Sequence, residues 1–336
     1  MWRLPSLSVM AVSTVLGTAP LVLAHPQSTA QPAASVAQLQ AAAAGGDARA
    51  EFDLALHYAD DTAPDKSDML SVDWLTKSAT HGFADAQHTL ALLYLAGGRG
   101  VTPDARQAAQ WWQKAAEQGL AASQFALAQL FDGGVGVPQD SEQAMTWWRK
   151  AAEQGHAASQ NMLGKGYFEG RGAERSDTEA IAWWQKASMQ GNGAAMLNLG
   201  TAYSNGRGVE LDNAAAVSWW RKAAETGNLT AMNNLGAAYA AGLGIEANPG
   251  EAARWWRRAA DKADPRAQHL LALAYFNGVG VDQDLVEAYK WAYIAAAITT
   301  GQNQVFYMNV RDSIGTNMTG EQLAEAQKRA REWKSN

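Results

Sequence analysis

The 336-residue chain contains no cysteine. That excludes disulfides, thiolate metal sites and a cysteine nucleophile. It also excludes the lipidated cysteine on which a bacterial lipoprotein is anchored. Positive charge is in deficit: 27 Lys and Arg against 33 Asp and Glu give a net charge of −6. A nucleic-acid backbone or an anionic membrane is therefore not expected as the main partner. The signatures of familiar catalysis are missing too, with no Gly-x-Ser-x-Gly elbow, Ser-x-x-Lys, His-Glu-x-x-His or P-loop. We assign no catalytic residue, no metal site and no cofactor.

Among what is present, the first 24 residues read as a secretory signal. Arg3 gives a thin positive start, Leu4 to Leu23 is largely apolar, and Val22-Leu23-Ala24 resembles a small-residue cleavage site. The stretch is short and broken by Pro5 and Pro20, which argues against a retained membrane anchor. Cleavage after Ala24 removes Arg3 and no acid, leaving a mature charge of −7 and a periplasmic protein. Residues 25–34 are a polar tether without helical periodicity.

The tryptophans carry the organisation. Pairs stand at Trp111-Trp112, Trp147-Trp148, Trp183-Trp184, Trp219-Trp220 and Trp255-Trp256, each 36 residues after the last. Trp291 continues the series, and Trp74 lies 37 residues before Trp111. A fixed period between about 20 and 50 residues marks units that cannot bury their own apolar face and must stack. The first half of each unit predicts a helix, A, read most easily from its aromatic: Tyr58, Tyr94, Phe131, Tyr167, Tyr203, Tyr239 and Tyr275. Four residues before it stands Leu in every unit, and three before it always Ala or Gly. A small column on one helix face lets a neighbouring helix approach closely.

Helix A then meets a Gly-x-Gly turn, as at Gly134-Val135-Gly136, whose glycines suit a tight exit with positive φ. No strand precedes the turn and no Walker lysine follows it, so it is not a phosphate loop. Helix B begins at Ser67, Asp104, Asp140, Ser176, Asp212, Asn248 and Asp284, with Gln or Glu three residues later in five units. That spacing predicts capping boxes rather than a row of metal ligands. Helix B carries the tryptophans, the first of each pair expected in the core and the second in the seam between units. A basic residue near its end in six units (Lys77, Lys114, Lys150, Lys186, Lys222 and Arg258) suits the helix dipole.

A unit of 36 residues carrying Leu-Gly-x-x-Tyr, Gly-x-Gly-Val and Ala-x-x-Trp-x-x-Lys-Ala-Ala-x-x-Gly resembles the Sel1-like repeat family, relatives of the tetratricopeptide repeats. The resemblance implies an all-α, right-handed αα-solenoid, with seven repeats over residues 47–300. Residues 35–46 are expected to form an N-terminal capping helix and residues 301–336 C-terminal capping helices. The first unit departs from the pattern, with Asp61 and Ala63 in place of the glycines, and the second inserts one residue before Gly98. The resemblance also implies a non-catalytic protein that binds a protein partner as an adaptor or regulator in the cell envelope. Two alternatives come with it. One is an immunity protein that neutralises a toxin such as a type VI lipase effector. The other is a β-lactam-binding or hydrolysing enzyme, for which this chain has neither the cysteines nor a nucleophile motif.

Columns that vary between units are free to specify a ligand. They lie six and two residues before the aromatic and one after it, slots that line the concave groove in tetratricopeptide arrays. From them we take His88, Phe125, Gln129, Asn161, Lys165, Phe168, Leu197, Thr201, Asn233, His269 and Phe276 as the candidate partner site. Phe, Leu, Asn, His and Lys together suit a peptide or protein surface better than phosphate. His88 and His269 share a slot in distant units, so they are not expected to share a metal.

Overall fold

The computed structural model describes residues 35–335. The expected signal peptide and tether lie outside these residues. Among the described residues there are seventeen helices and no strand, with one isolated bridge between Gly98 and Val101. They fall into two compact units, divided between Ser176 and Asp177. The first holds α1 (Val36–Ala44), α2 (Ala48–Ala59), α3 (Asp68–Thr80), α4 (Ala84–Ala96), α5 (Ala105–Glu117), α6 (Ala121–Gly133), α7 (Ser141–Glu153) and α8 (Ala157–Glu169). The second holds α9 (Asp177–Met189), α10 (Gly193–Asn205), α11 (Asn213–Glu225), α12 (Leu229–Ala241), α13 (Pro249–Ala260), α14 (Pro265–Asn277), α15 (Leu285–Ala297), α16 (Gly301–Gly315) and α17 (Gly320–Glu332). From α2 to α15 the helices alternate between type A and type B, as the period requires.

Within a repeat, helices A and B meet through the small column and the second tryptophan of the pair. Trp112, Trp148, Trp184, Trp220 and Trp256 are all buried. At Gly236 an added Cβ would run into the Trp256 indole, and at Gly200 into that of Trp220, so the absent side chain is what admits the ring. This corrects the sequence expectation: the second tryptophan, not the first, fills the core of its own repeat, and the first column is shallower. Trp147, Trp183 and Trp291 are buried, whereas Trp74, Trp111, Trp219 and Trp255 are half-buried. The exposed side of these rings is covered by the basic column: the cation lies 3.9 Å from the Trp147 centroid at Lys150, 4.1 Å from Trp111 at Lys114, and 4.4 Å from Trp255 at Arg258. The i, i+3 spacing that suits the dipole thus also lays each cation on an aromatic face, worth about 0.5–1 kcal/mol at an exposed site.

The capping prediction needs a correction. The cap side chains accept as expected, Asp140 from the Gln143 N–H and Asn248 from the Glu251 N–H. The reciprocal bond of a capping box forms at α1 and α17, and not at Gln107, Gln143, Glu251 or Glu287. Its donor is already used: the cap N–H of Asp104, Asp140, Asn248 and Asp284 bonds the carbonyl of the aromatic that ends helix A, at 2.7–3.0 Å. That bond closes the A-to-B turn. The second glycine of the turn lets it pack on the preceding repeat, since a Cβ on Gly136 would overlap the Ala105 carbonyl.

Neighbouring repeats are also joined by a buried glutamine. Gln87, Gln124 and Gln160 donate their amides to the carbonyls of Ala79, Ala116 and Ala152, at 3.0 to 3.1 Å. The first repeat closes differently from the rest. With no glycine available, Asp60 accepts from the Thr62 N–H at 2.8 Å and its hydroxyl at 2.7 Å, and Arg99 of the next turn donates to the Ala59 carbonyl at 3.1 Å. The Thr62 bonds hold the Asp60 carboxyl below the usual range.

Truncating Trp148 to Ala is expected to cost about 3–5 kcal/mol, the range for large core aromatics. Removing its neighbour's cover with Lys150→Ala should cost less than about 1 kcal/mol. Urea melts of both variants check the ranking; equal losses would show that the two columns are not layered as described.

Candidate functional site

In the first unit the variable columns fall on α6 and α8 at successive turns. α6 carries Phe125, Gln129 and Asp132; α8 carries Asn161, Lys165 and Phe168. Spacings of four and three residues keep each set on one helix face. Phe125 is half-buried, its ring 5.0 Å from that of His156, and Phe168 is half-buried as well. Gln129 is buried, and its Oε1 has no hydrogen-bond partner. Asn161 is half-buried; Lys165 is exposed, 3.8 Å from the Glu169 carboxylate.

Asp132 links the two helices and was not among the residues picked out from sequence. Arg171, in the turn after α8, lies 3.0 Å from its carboxylate. Burial raises the Asp132 pKa, opposed by the charges of Arg171 and Lys165 and reinforced by Glu169. A half-buried carboxylate and two cations thus adjoin, on helices whose variable columns also carry the half-buried Phe125 and Phe168. The sequence signal was available in the turn: Arg171 stands where Val135 stands one repeat earlier, and Val135 is buried.

The remaining candidates have other surroundings. His88, on α4, pairs through Nδ1 with the Ser123 hydroxyl at 2.8 Å, and its ring lies 6.2 Å from that of Trp112. Burial pulls its pKa down to about 4. In the second unit Leu197 is half-buried against the core, and the Thr201 hydroxyl donates to the Leu197 carbonyl at 3.0 Å. Asn233 is buried and donates to the Asp264 carboxylate at 2.9 Å, so its donor already has an acceptor inside the chain. His269 is half-buried between Phe306 and Tyr307, with centroids at 5.1 and 5.5 Å, and burial lowers its pKa. Phe276 is half-buried against the same core.

For chemistry the surroundings offer little. Among the described residues no group of three or more His, Asp or Glu side chains is placed to hold a metal ion. No described helix is long and apolar enough to cross a membrane. A cavity of about 20 Å³ lined by Ala55, Ser71, Thr89 and Arg99 has room for a single water.

The depressed His88 pKa fixes a pH dependence. The folded value, about 4, lies below the ordinary histidine value of 6.5, so the unfolded chain takes up the proton first. Stability is full above the unfolded value and falls as pH drops towards the folded one. Between about pH 7 and about pH 5 this amounts to about 2 kcal/mol. His156 and His269, also lowered by burial, act in the same sense. Urea melts at both pH values should show a smaller loss in His88→Gln than in wild type; equal losses would place the dependence elsewhere.

Comparison with known proteins follows this geometry closely. The Sel1 repeat model matches residues 48–83, 84–120, 121–156, 157–192, 193–228, 229–264 and 265–297. A Sel1 repeat protein from Oxalobacter formigenes is 30% identical over 82% of this chain and 79% of its own, with a TM-score of 0.70. A protective antigen from uropathogenic Escherichia coli strains, displaying an SLR fold, is 23% identical over 89% of this chain and 94% of its own, with a TM-score of 0.52. That second likeness bears on fold alone. An immunity protein from Pseudomonas aeruginosa, 17% identical over 70% of this chain and 82% of its own, has a TM-score of 0.40, too loose to bear on role. A search of curated proteins finds no match to this chain. Seven consecutive matches spanning most of the sequence place the chain in the Sel1 repeat family.

Proposed function

We propose that this Sel1 repeat protein is a non-catalytic, periplasmic scaffold that binds a protein segment along the helix A faces of α6 and α8, as an adaptor or regulator in the cell envelope. The observation that carries the reading is the surface shared by Phe125, Asp132, Lys165 and Phe168. It lies on columns that vary from repeat to repeat, above a frame of tryptophan, glycine and alanine that does not. Half-buried rings give a partner apolar area to complete, and the flanking charges set its orientation. Lys165, exposed and only loosely held by Glu169, is the cation best placed to meet a partner carboxylate. Gln129 is interior and shapes the face from beneath. Location outside the cytoplasm rests on the N-terminal signal alone. Mass spectrometry of periplasmic extract is expected to find a chain starting at His25; recovery only in membranes with Met1 intact would sink that part.

A photo-crosslinking residue placed at Phe168 should capture the partner, whereas one at exposed Thr146 on α7 should not. Binding of the captured protein should weaken by about 2 kcal/mol in Phe168→Ala, as for an anchoring aromatic. Equal capture at Thr146, or unchanged affinity, would move the site off helix A. A captured enzyme that loses its activity on binding would mark an immunity role instead.

A further inference from the structure

The last repeat of the array is unfinished. α16 stands in the helix A slot of an eighth unit: Gln304 donates to the Ala296 carbonyl at 3.3 Å, as Gln268, 36 residues earlier, donates to the Ala260 carbonyl at 3.2 Å. A helix B should follow and cover it. α17 does not take that place; it packs on α15, setting Trp333 edge-on to Trp291 at 5.9 Å and Arg329 against Glu287 at 3.2 Å. The chain on either side of α16 is described, and it leaves the helix open. Met308 occupies the small-column slot and is 38% exposed, whereas Ala272, its counterpart one repeat earlier, is 0% exposed. Of the ten large apolar side chains exposed among the described residues, four (Ile298, Val305, Phe306 and Met308) fall within residues 298–308. That concentration on one terminal helix marks a surface made for docking.

The order of residues along that surface says what it fits. Gly301, Val305, Met308 and Asp312 follow at intervals of four, three and four, which places them in one stripe along α16. Val305 and Met308 form its apolar middle. At one end Thr300 gives α16 no side-chain cap, and a Cβ on Gly301 would meet nothing within 4 Å, so the uncapped helix start is accessible. At the other end Asp312 is exposed, paired with its neighbour Arg311 at 2.6 Å. A carboxylate is stabilised at a helix N-terminus, where the free N–H groups carry partial positive charge. α16 thus carries both halves of a contact that it cannot make with itself.

We propose that α16 of one copy packs antiparallel on α16 of a second copy, with Val305 of each against Met308 of the other. Asp312 of each then lies at the α16 N-terminus of the other. The two pairings share one midpoint, between Phe306 and Tyr307, so a single two-fold axis serves both and the contact is isologous. Charge favours a like partner. Arg311 and Asp312 are the only charged residues of α16 and they cancel, so two copies meet here without the repulsion that a net charge of −6 brings elsewhere. Gln302, Asn309 and Ser313, all exposed, supply a polar rim. With 15 residues, α16 is about 22 Å long, so the contact is small and the dimer weak.

Sedimentation velocity of the full chain from micromolar to submillimolar concentration tests this. Wild type should pass from monomer to dimer. Val305→Asp and Met308→Asp should each raise the dissociation constant about tenfold or more, because each buries an unpaired charge in the contact. Circular dichroism melts check folding, and Val305, the more exposed of the two, serves if Met308→Asp is unstable. Asp312→Asn should weaken the dimer about three- to thirty-fold, since it removes two equivalent helix-terminus contacts at once. Register is read by disulfide trapping, which the cysteine-free chain permits. Val305→Cys mixed with Met308→Cys should form the mixed disulfide in preference to either homodisulfide. Wild type that stays monomeric throughout would overturn the proposal. So would a dimer indifferent to Val305→Asp or to Asp312→Asn, or homodisulfides that outrun the mixed one.

Discussion

Everything in this molecule depends on how closely helix B can approach helix A. A tryptophan presented to a column of glycine and alanine fills a gap that larger residues would close, and the indole then lies almost against the facing backbone. The burial is large, and no single repeat achieves it alone. Repeats therefore lean on their neighbours, most through a turn glycine and four through a buried glutamine (Gln87, Gln124, Gln160 and Gln268), giving the nearest-neighbour energetics of a solenoid. Sites that recognise a partner must be built on this frame without disturbing it, which confines them to columns the seam does not use.

The same division governs the electrostatics. Cations of the repeating frame are spent on aromatic faces: Lys150 on Trp147, Lys186 on Trp183 and Arg257 on Tyr275. Arg171 differs, since from the turn after α8 it pairs with a carboxylate on the neighbouring helix A, Asp132, which the charge of Lys165 also favours.

Much of the fold was legible because it repeats. The period, the Gly-x-Gly turns and the two tryptophan columns are statements about spacing, and spacing survives translation into structure. Individual bonds were less legible. The capping boxes failed at Asp104, Asp140, Asn248 and Asp284 because the sequence names the acceptor but does not show that the backbone carbonyl of Tyr94, Phe131, Tyr239 or Tyr275 has already taken the donor. The basic column was understood only halfway, since a residue that suits a helix end can also rest on a ring three residues back. In the candidate site, variability identified the columns but could not tell surface from interior. Gln129 and Lys165 share a column, yet one is buried and the other exposed, because the shape of the neighbouring side chains decides which is covered.

The indole N–H groups of Trp112, Trp148, Trp220 and Trp256 are sealed from solvent and hydrogen-bonded to nothing. Such a ring sits in an apolar, water-free setting, and its fluorescence reports any opening of its own seam. Because these rings recur at fixed intervals, they form a series of local optical probes set along the chain by the fold itself. Substituting them singly would resolve whether the array frays from one end or separates in blocks, with no foreign label introduced.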